Sequence, residues 1–289
     1  MTGVLVRADA VTRRFGKFTA VNQVSMHVRR GEVVGLLGAN GAGKTTLMRM
    51  LLGLLATDAG RVELLGGPPD LEHRRRLGYV PQNLGLYRDL TVLENLSFIA
   101  RCYGADVPHL RAEMEPYSRA LVQELPLGIQ RQAAFMAALS HAPELLLLDE
   151  PTSGVDALAR ASLWDTIRGQ SDQGVGVLVT THYMQEAQQC DRLLLMSNGR
   201  VVAEGSESDI VGSTTALAVR TDDWAKAFEA LNAADAPVVL VGRAIRVADT
   251  EAAELRRILA AAGIEASLEP VPATIEERML VLARETEAA

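Results

Sequence analysis

A glycine-rich segment near the N-terminus carries residue types that bind phosphate. Residues 38–45 read GANGAGKT and fit the pattern G-x-x-x-x-G-K-[ST]. A loop of this kind directs backbone N–H groups at phosphates, its lysine reaches the β- and γ-phosphates, and its hydroxyl group binds Mg²⁺. The pattern therefore predicts a nucleotide site, with Thr45 as a metal ligand, made of Gly38, Asn40, Gly41, Ala42, Gly43, Lys44, Thr45 and Thr46.

Two adjacent carboxylates follow a run of leucines at residues 145–148. A carboxylate at the end of a buried strand is costly unless it serves a metal, so Asp149 is expected to hold Mg²⁺ through a water molecule. Glu150 is the candidate general base, or the group that orients the attacking water. Because ATP hydrolysis requires neutralised phosphate charge, a metal and an oriented water, the two segments predict ATP chemistry with ATP and Mg²⁺ as ligands.

Strand and helix patterns predict an α/β fold around these segments. Alternating strands and helices imply a mostly parallel sheet with both faces covered. Val4–Val11 and Ala20–Val28 alternate as strands of an antiparallel β subdomain. The expected core elements are the strands Glu32–Leu37, Leu145–Asp149 and Val175–Thr181, and the helices Thr45–Leu55, Ala157–Gly169 and Met184–Gln189. A helical subdomain over about residues 83–141 interrupts this core, and its first helix opens with the capping box Thr91-x-x-Glu94.

The last part of the chain has a different element order. From Ser213 onward, the pattern reads strand, helix, two paired strands, helix and strand, followed by one more helix. This order is typical of a small ferredoxin-like α+β domain. The expected division is therefore an ATP-binding domain at 1–212 and an accessory domain at 213–289.

Two further residues have informative positions. His182 directly follows the predicted strand VLVTT, at the carboxyl edge of the sheet, where ligands collect in open α/β folds. The other four histidines are interpreted as ordinary strand, helix or loop residues. Phe15 precedes Gly16 in an expected loop between two strands, where an exposed aromatic ring could stack on a base.

Together these motifs resemble the nucleotide-binding subunit of ATP-binding-cassette (ABC) transporters, and among them the ATPases of multidrug and ABC-2-type exporters. The resemblance covers roughly residues 1–212 and implies a P-loop NTPase core. It implies that Gln82, after the short strand GYVP, contacts Mg²⁺ and the attacking water, and that His182 contacts the γ-phosphate. It also implies that Phe15 stacks on adenine and that Asp156 ends the D-loop SGVD.

One motif departs from the family pattern. Members of the family typically read LSGGQ where this chain reads LPLGIQ, so Pro126 replaces the serine and Leu127 replaces a glycine, while Gly128 remains. In the family, the serine and the helix N-terminus of this motif contact ATP held by a second subunit. Proline lacks both the hydroxyl and the N–H group, although it suits the first turn of a helix. Either the remaining amides of this segment suffice, or the subunit completes a weak site and relies on an unlike partner.

Composition limits the possible partners and location. The formal net charge of −7 argues against nucleic acid as a partner, since phosphate binding requires a basic surface. No uncharged apolar run approaches the roughly 20 residues that cross a bilayer, and no signal peptide is expected. The resemblance then implies a cytoplasmic protein, peripheral on the inner face of the cell membrane, that docks on transmembrane permease subunits. Its second ATP-binding subunit could be a copy of itself or an unlike chain.

Two alternatives to an export ATPase remain open at this point. Soluble ABC proteins of DNA repair or translation share such a core, but they carry a long coiled coil or a second ATPase domain, and neither pattern occurs here. The other alternative is a binding-only subunit in which ATP holds a dimer together. Measured ATP turnover would separate that subunit from an enzyme.

Overall fold

The computed structural model describes residues 3–287. The chain forms two compact units, residues 1–201 and 202–289. This division falls after Val201, whereas the sequence suggested a boundary after Gly212. A strand at Arg200–Gly205 runs across the division, so the domain boundary stays a prediction.

Residues 4–205 contain two sheets. Strands β1, β2 and β4 form an antiparallel sheet in the order β2-β1-β4, and the others form a six-stranded sheet in the order β5-β6-β7-β3-β8-β9. The pairs from β5 through β8 are parallel. These strands are β1 Val4–Phe15, β2 Phe18–Arg29, β3 Val33–Leu37, β4 Ala59–Leu64, β5 Leu77–Val80, β6 Leu145–Asp149, β7 Gly176–Thr181, β8 Arg192–Ser197 and β9 Arg200–Gly205. The mostly parallel core and its antiparallel subdomain confirm the expected fold.

Helices cover both faces of the six-stranded sheet. Every residue of β3, β6 and β7 is buried, which explains their continuous apolar sequences. One face packs on α1 and on the antiparallel sheet, and the other packs on α4 and α5. The helices of this unit are α1 Lys44–Leu51, α2 Leu71–Arg74, α3 Val92–Tyr103, α4 Leu127–Leu139 and α5 Ala157–Asp172.

Three local expectations are corrected. Helix α1 ends at Leu51 rather than Leu55, because Gly53 follows with φ 67° and turns the chain out of the helix. Met184–Gln189 is a 3₁₀ rather than an α-helix, and its Glu186 is buried against Thr152. Phe15 is the last residue of β1 rather than a loop residue, because it pairs with Phe18 across a two-residue turn in which Gly16 has φ 60°.

The helical insert has its own small core. The Thr91 side chain accepts from the Glu94 N–H group and Glu94 accepts from the Thr91 N–H group, which confirms the predicted capping box. Between α3 and α4, buried apolar side chains such as Leu96, Met114 and Val122 pack together. In the part of the chain that the structure describes, no helix is both long enough and apolar enough to span a bilayer.

The second unit has the ferredoxin-like element order that the sequence predicts. Its antiparallel sheet runs β11-β12-β10-β13, and α7 and α8 pack on the core residues Val219, Ile245 and Val247. An ion pair between Arg246 and the buried Glu277 ties the last helix to the sheet. The elements are α6 Glu207–Val211, β10 Thr215–Arg220, α7 Trp224–Ala233, β11 Val238–Val241, β12 Ala244–Ala248, α8 Ala252–Ala261, β13 Ser267–Pro272 and α9 Ile275–Glu287.

Candidate functional site

The glycine loop joins β3 to α1 and is shaped by backbone conformations that favour glycine. Gly41 and Gly43 have φ values of 85° and 104°. A Cβ atom added at Gly43 would lie 2.4 Å from the carbonyl oxygen of Ala20. Glycine at this position is therefore required both by dihedral angle and by space.

Lys44 begins α1 and is 5% exposed. Its Nζ donates hydrogen bonds to the carbonyl oxygens of Gly38, at 2.6 Å, and Ala39, at 3.1 Å. Burial lowers the pKa of Lys44, while the nearby charges of Glu150 and Asp149 oppose that shift. The lysine thus braces the loop while its charge stays inside the site.

Asp149 ends β6 at 1% exposure. Its Oδ1 accepts hydrogen bonds from the hydroxyl groups of Thr180, at 2.7 Å, and Thr45, at 3.3 Å. Hydroxyl and carboxylate oxygens are the ligands that Mg²⁺ prefers. Because a buried carboxylate beside the phosphate loop would otherwise be poorly compensated, the donor set fits Mg²⁺ held by Thr45 and Asp149, with Gln82 nearby.

Glu150 lies at the centre of the remaining polar groups. Its N–H group donates to the Thr180 hydroxyl at 2.9 Å, and its φ of 49° turns the chain sharply after β6. Gln82 Nε2 donates to Glu150 Oε2 at 3.3 Å. His182 Nδ1 lies 3.4 Å from the same oxygen without hydrogen-bond alignment. One carboxylate oxygen therefore faces both of the other predicted catalytic side chains.

Most of the predicted site residues line one cavity of about 670 Å³. Among the predicted site residues, the lining does not include Phe15, Gly38, Asp149, Pro126, Gly128 or Asp156. Gly38 and Asp149 lie directly behind the wall, bonded to Lys44 and Thr45. The lining residues are Phe18, Ala20, Asn40, Gly41, Ala42, Gly43, Lys44, Thr45, Thr46, Gln82, Glu150, Ser153 and His182.

The aromatic residue at the cavity is Phe18, which sequence analysis did not select. Phe18 is 63% exposed, and Phe15 is 48% exposed with the Arg13 guanidinium 5.0 Å from its ring centroid. The two rings sit on paired strand ends. The sequence offered one sign of this residue, the second aromatic residue in the segment FGKF. The stacking of Phe15 on adenine stays a prediction.

The altered motif lies outside the cavity, at an exposed helix start. Pro126 is the N-cap residue of α4 rather than a residue of its first turn, and it provides no side-chain cap. Gly128 packs closely on α5, since an added Cβ atom there would lie 3.0 Å from that of Ala159. Asp156 caps α5 by accepting from the Ala159 N–H group at 2.9 Å.

Buried polar contacts connect the motifs to one another. Arg131 of α4 is 4% exposed, and its Nη2 donates to the Ser153 carbonyl oxygen at 3.3 Å. The Thr152 hydroxyl donates to Glu186 at 2.5 Å, which joins the turn after Glu150 to the segment after His182. Sequence analysis missed both links, because neither residue type nor spacing marks them.

The fold and the site together define a P-loop ATP-binding domain. A model of the ABC transporter family matches residues 21–153. A probable multidrug ABC transporter ATP-binding protein of Escherichia coli is 41% identical over 223 residues, which are 71% of this chain and 38% of that protein. A Nod factor export ATP-binding protein of Paraburkholderia xenovorans is 40% identical over 226 residues, 74% of each chain. The chain belongs to the ABC transporter family of ATP-binding proteins.

A solved structure of an ATP-binding subunit of an ABC transporter has the same fold. It superposes with a TM-score of 0.64 at 28% identity, covering 72% of this chain and 92% of the other.

We expect Lys44→Ala to lower the affinity for a non-hydrolysable ATP analogue by roughly tenfold or more, because a charge-assisted hydrogen bond contributes about 1.5–3 kcal/mol. Isothermal titration calorimetry measures this directly. Lys226→Ala removes the same charge from an exposed position in the second unit and should leave affinity unchanged. Equal affinity in Lys44→Ala and the parent chain would refute the phosphate-loop assignment.

Proposed function

We propose that this chain is the ATP-binding and ATP-hydrolysing subunit of an export-type ABC transporter. The observation that carries the proposal is the convergence of Lys44, Gln82, Glu150 and His182 on one cavity at the carboxyl edge of a parallel sheet. The names of the two relatives, which describe multidrug transport and Nod factor export, support export rather than uptake.

The catalytic roles follow from the groups present. Lys44 and the loop amides neutralise the β- and γ-phosphates, which is the main requirement of phosphoryl transfer. Glu150 orients the attacking water or accepts its proton, and Gln82 and His182 hold that carboxylate and the γ-phosphate in place. Mg²⁺ held by Thr45, Asp149 and Gln82 would supply charge neutralisation between the phosphates.

ATP-driven dimerisation is the second part of the proposal. The starts of α4 and α5 are exposed: Leu127 is 37% and Leu158 is 82% exposed. Exposed apolar side chains beside a helix N-terminus suit an interface that closes over a phosphate. We propose that two ATP-binding subunits meet here with ATP between them, and that hydrolysis reopens the dimer.

Glu150→Gln is expected to keep ATP binding and to lower turnover by roughly 100-fold or more, because a positioned base contributes about 10²–10⁴ in rate. Phosphate release measures turnover, and size-exclusion chromatography with ATP should detect a stable dimer. Glu229→Gln, on an exposed position of α7, is the matched control. Normal turnover in Glu150→Gln would show that a residue other than Glu150 orients the attacking water.

Pro126→Ser combined with Leu127→Gly should raise ATP-dependent dimerisation by roughly tenfold, since one restored hydrogen bond to phosphate contributes about 1.5–3 kcal/mol. Serine at the N-cap position also caps α4, which favours rather than disturbs the helix start. Sedimentation in ATP measures the dimer fraction. If the double variant dimerises and hydrolyses ATP as the parent does, the altered motif is not limiting and the weak-site hypothesis fails.

The transmembrane partner is proposed to dock on the helical insert. Tyr87 and Phe98 are 52% and 46% exposed, and their rings meet edge to face at 5.3 Å. Leu93, which lies with Phe98 on α3, is 40% exposed. This apolar patch would give a membrane chain a docking surface on the segment that follows Gln82, the residue that contacts Glu150. The subunit would then be peripheral on the inner membrane face.

We expect a photo-crosslinking residue at position 87 to capture a membrane protein, whereas one at position 158 should capture a second ATP-binding subunit.

Arg88→Glu should reduce transport while leaving basal ATPase activity largely unchanged, and Lys226→Glu is the control with the same change of charge. Crosslinks from position 87 that never reach a membrane protein would favour a soluble ABC protein. Absent turnover with intact binding would instead favour a binding-only subunit.

A further inference from the structure

The ring of His182 makes few contacts in the cavity. Its Nδ1 lies 3.4 Å from Glu150 Oε2 and forms no hydrogen bond with the residues that the structure describes. A hydrogen bond to one ring nitrogen normally fixes the orientation and tautomer of a functional histidine. His182 has instead an aromatic contact with Tyr183, whose ring centroid lies 4.2 Å away at an interplanar angle of 35°. The position of Tyr183 therefore constrains how the His182 ring is oriented.

An arginine from another helix holds Tyr183. The Arg160 guanidinium lies 4.6 Å from the centroid of the Tyr183 ring, which is within cation–π range. Arg160 closes the first turn of α5, because its N–H group donates to the Asp156 carbonyl oxygen at 3.0 Å. The helix thus provides a rigid base for a contact with a ring that lies outside regular secondary structure.

A buried carboxylate joins the same cluster. Glu186 is 2% exposed, and its Oε1 accepts a hydrogen bond from the Thr152 hydroxyl at 2.5 Å. Arg160 Nε lies 3.6 Å from that oxygen, which is an ion pair slightly longer than a hydrogen bond. The Glu186 N–H group donates to the Tyr183 carbonyl oxygen at 3.1 Å, so the carboxylate and the tyrosine ring belong to one turn. Because a buried carboxylate is costly without an opposite charge, Arg160 and Glu186 keep each other in place.

We propose that Arg160 is a positioning residue that sets the orientation of the His182 ring. It acts through the Tyr183 ring, and through Glu186, which anchors the turn that follows His182. Arg160 does not line the cavity, so it would influence turnover without touching ATP. The importance of this positioning for catalysis rests on the proposed function, in which His182 contacts the γ-phosphate.

The shape of the arginine side chain suits this role. A planar guanidinium can stack on an aromatic ring and direct its N–H groups at a carboxylate, whereas a lysine ammonium is a compact charge on a flexible stem. Arg160→Lys would therefore keep a positive charge beside Glu186 and lose the flat face on Tyr183. The buried carboxylate keeps its counter-charge in this variant, which protects the fold.

A purely structural role for Arg160 predicts a different pattern of effects. If Arg160 only stabilised the fold, Arg160→Lys would lower turnover by the same factor whether or not the His182 ring is present. If Arg160 acts through His182, the change should have no further effect once that ring has been removed, because residues that act as a unit are not additive.

A double-mutant cycle on ATP turnover separates these two roles. Arg160→Lys is expected to lower kcat by roughly tenfold, because misplacing a catalytic group by about 1 Å can cost about 100-fold in rate. The affinity for a non-hydrolysable ATP analogue should stay unchanged, since the phosphate loop is not involved. In a His182→Ala background, Arg160→Lys should lower kcat no further. An equal factor in both backgrounds, measured by phosphate release with enzyme in excess, would overturn the proposal.

Arg168→Lys is the matched control on the same helix. Arg168 Nη1 lies 2.9 Å from Asp191 Oδ1 in an ion pair that takes no part in the contacts around His182. This change should leave kcat at the parent value in both backgrounds. A loss of turnover as large as that in Arg160→Lys would show a general effect on α5 and would contradict a specific role for Arg160.

Two changes at position 183 test the ring itself. Tyr183→Leu removes the aromatic face and should lower kcat about as much as Arg160→Lys does. Tyr183→Phe keeps that face, so it should recover most of the turnover that is lost in Tyr183→Leu. Equal losses in the two variants would show that the ring does not link Arg160 to His182, and the proposal would fail.

Nuclear magnetic resonance of ring-labelled histidine tests the orientation of His182 independently of turnover. The signal of His182 is identified by its loss in His182→Ala, and spectra are compared at one pH without nucleotide. Arg160→Lys should shift this signal, because ring-current effects depend on the geometry of the Tyr183 ring, whereas Arg168→Lys should not. An unmoved signal in Arg160→Lys would overturn the positioning role. Parental turnover in His182→Ala would instead refute the proposed contact with the γ-phosphate, and the shift of the signal would still decide whether Arg160 orients the ring.

Discussion

The site depends on keeping opposite charges together at the buried end of an apolar sheet. Asp149 ends a strand with no exposed residue and Glu150 follows it, while Lys44 enters the same region from the start of α1. Any one of these charges alone would be expensive to bury. The hydroxyl groups of Thr45 and Thr180 donate to Asp149, and the Glu150 N–H group donates to Thr180. Lys44 acts on both carboxylates through its charge. The positions of β3, β6 and β7 next to one another make this arrangement possible.

This dependence explains why sequence reasoning reached most of the site. Phosphate-loop spacing and a carboxylate pair after four leucines are local patterns, and parallel strands bring their carboxyl ends to one edge. Gln82, Glu150 and His182 are far apart in sequence but each follows a core strand, so topology brings them together. Their catalytic roles stay predictions, while the fold that carries them is confirmed.

The contacts that the sequence could not predict depend on how far a side chain extends and on how neighbouring strands pair. Phe18 rather than Phe15 lines the cavity, because β1 continues to a tight turn instead of ending in a loop. Arg131 reaches Ser153 from another helix, and Glu186 bonds Thr152 across the site. Such contacts join residues that no short pattern relates.

The strand order of the first unit also has a consequence for synthesis. β3 lies between β7 and β8, so Val33 pairs with Val177, and the glycine loop that follows β3 rests on Met196 of β8. A chain emerging from the ribosome would carry β3 with its apolar residues unpaired until β7 and β8 had been made. Part of the support of the loop would be missing until then, because Gly43 packs on Ala20 of β2 whereas Gly38 packs on Met196 of β8. The ATP-binding fold would therefore assemble late, as a long-range closure rather than by stepwise growth from the N-terminus.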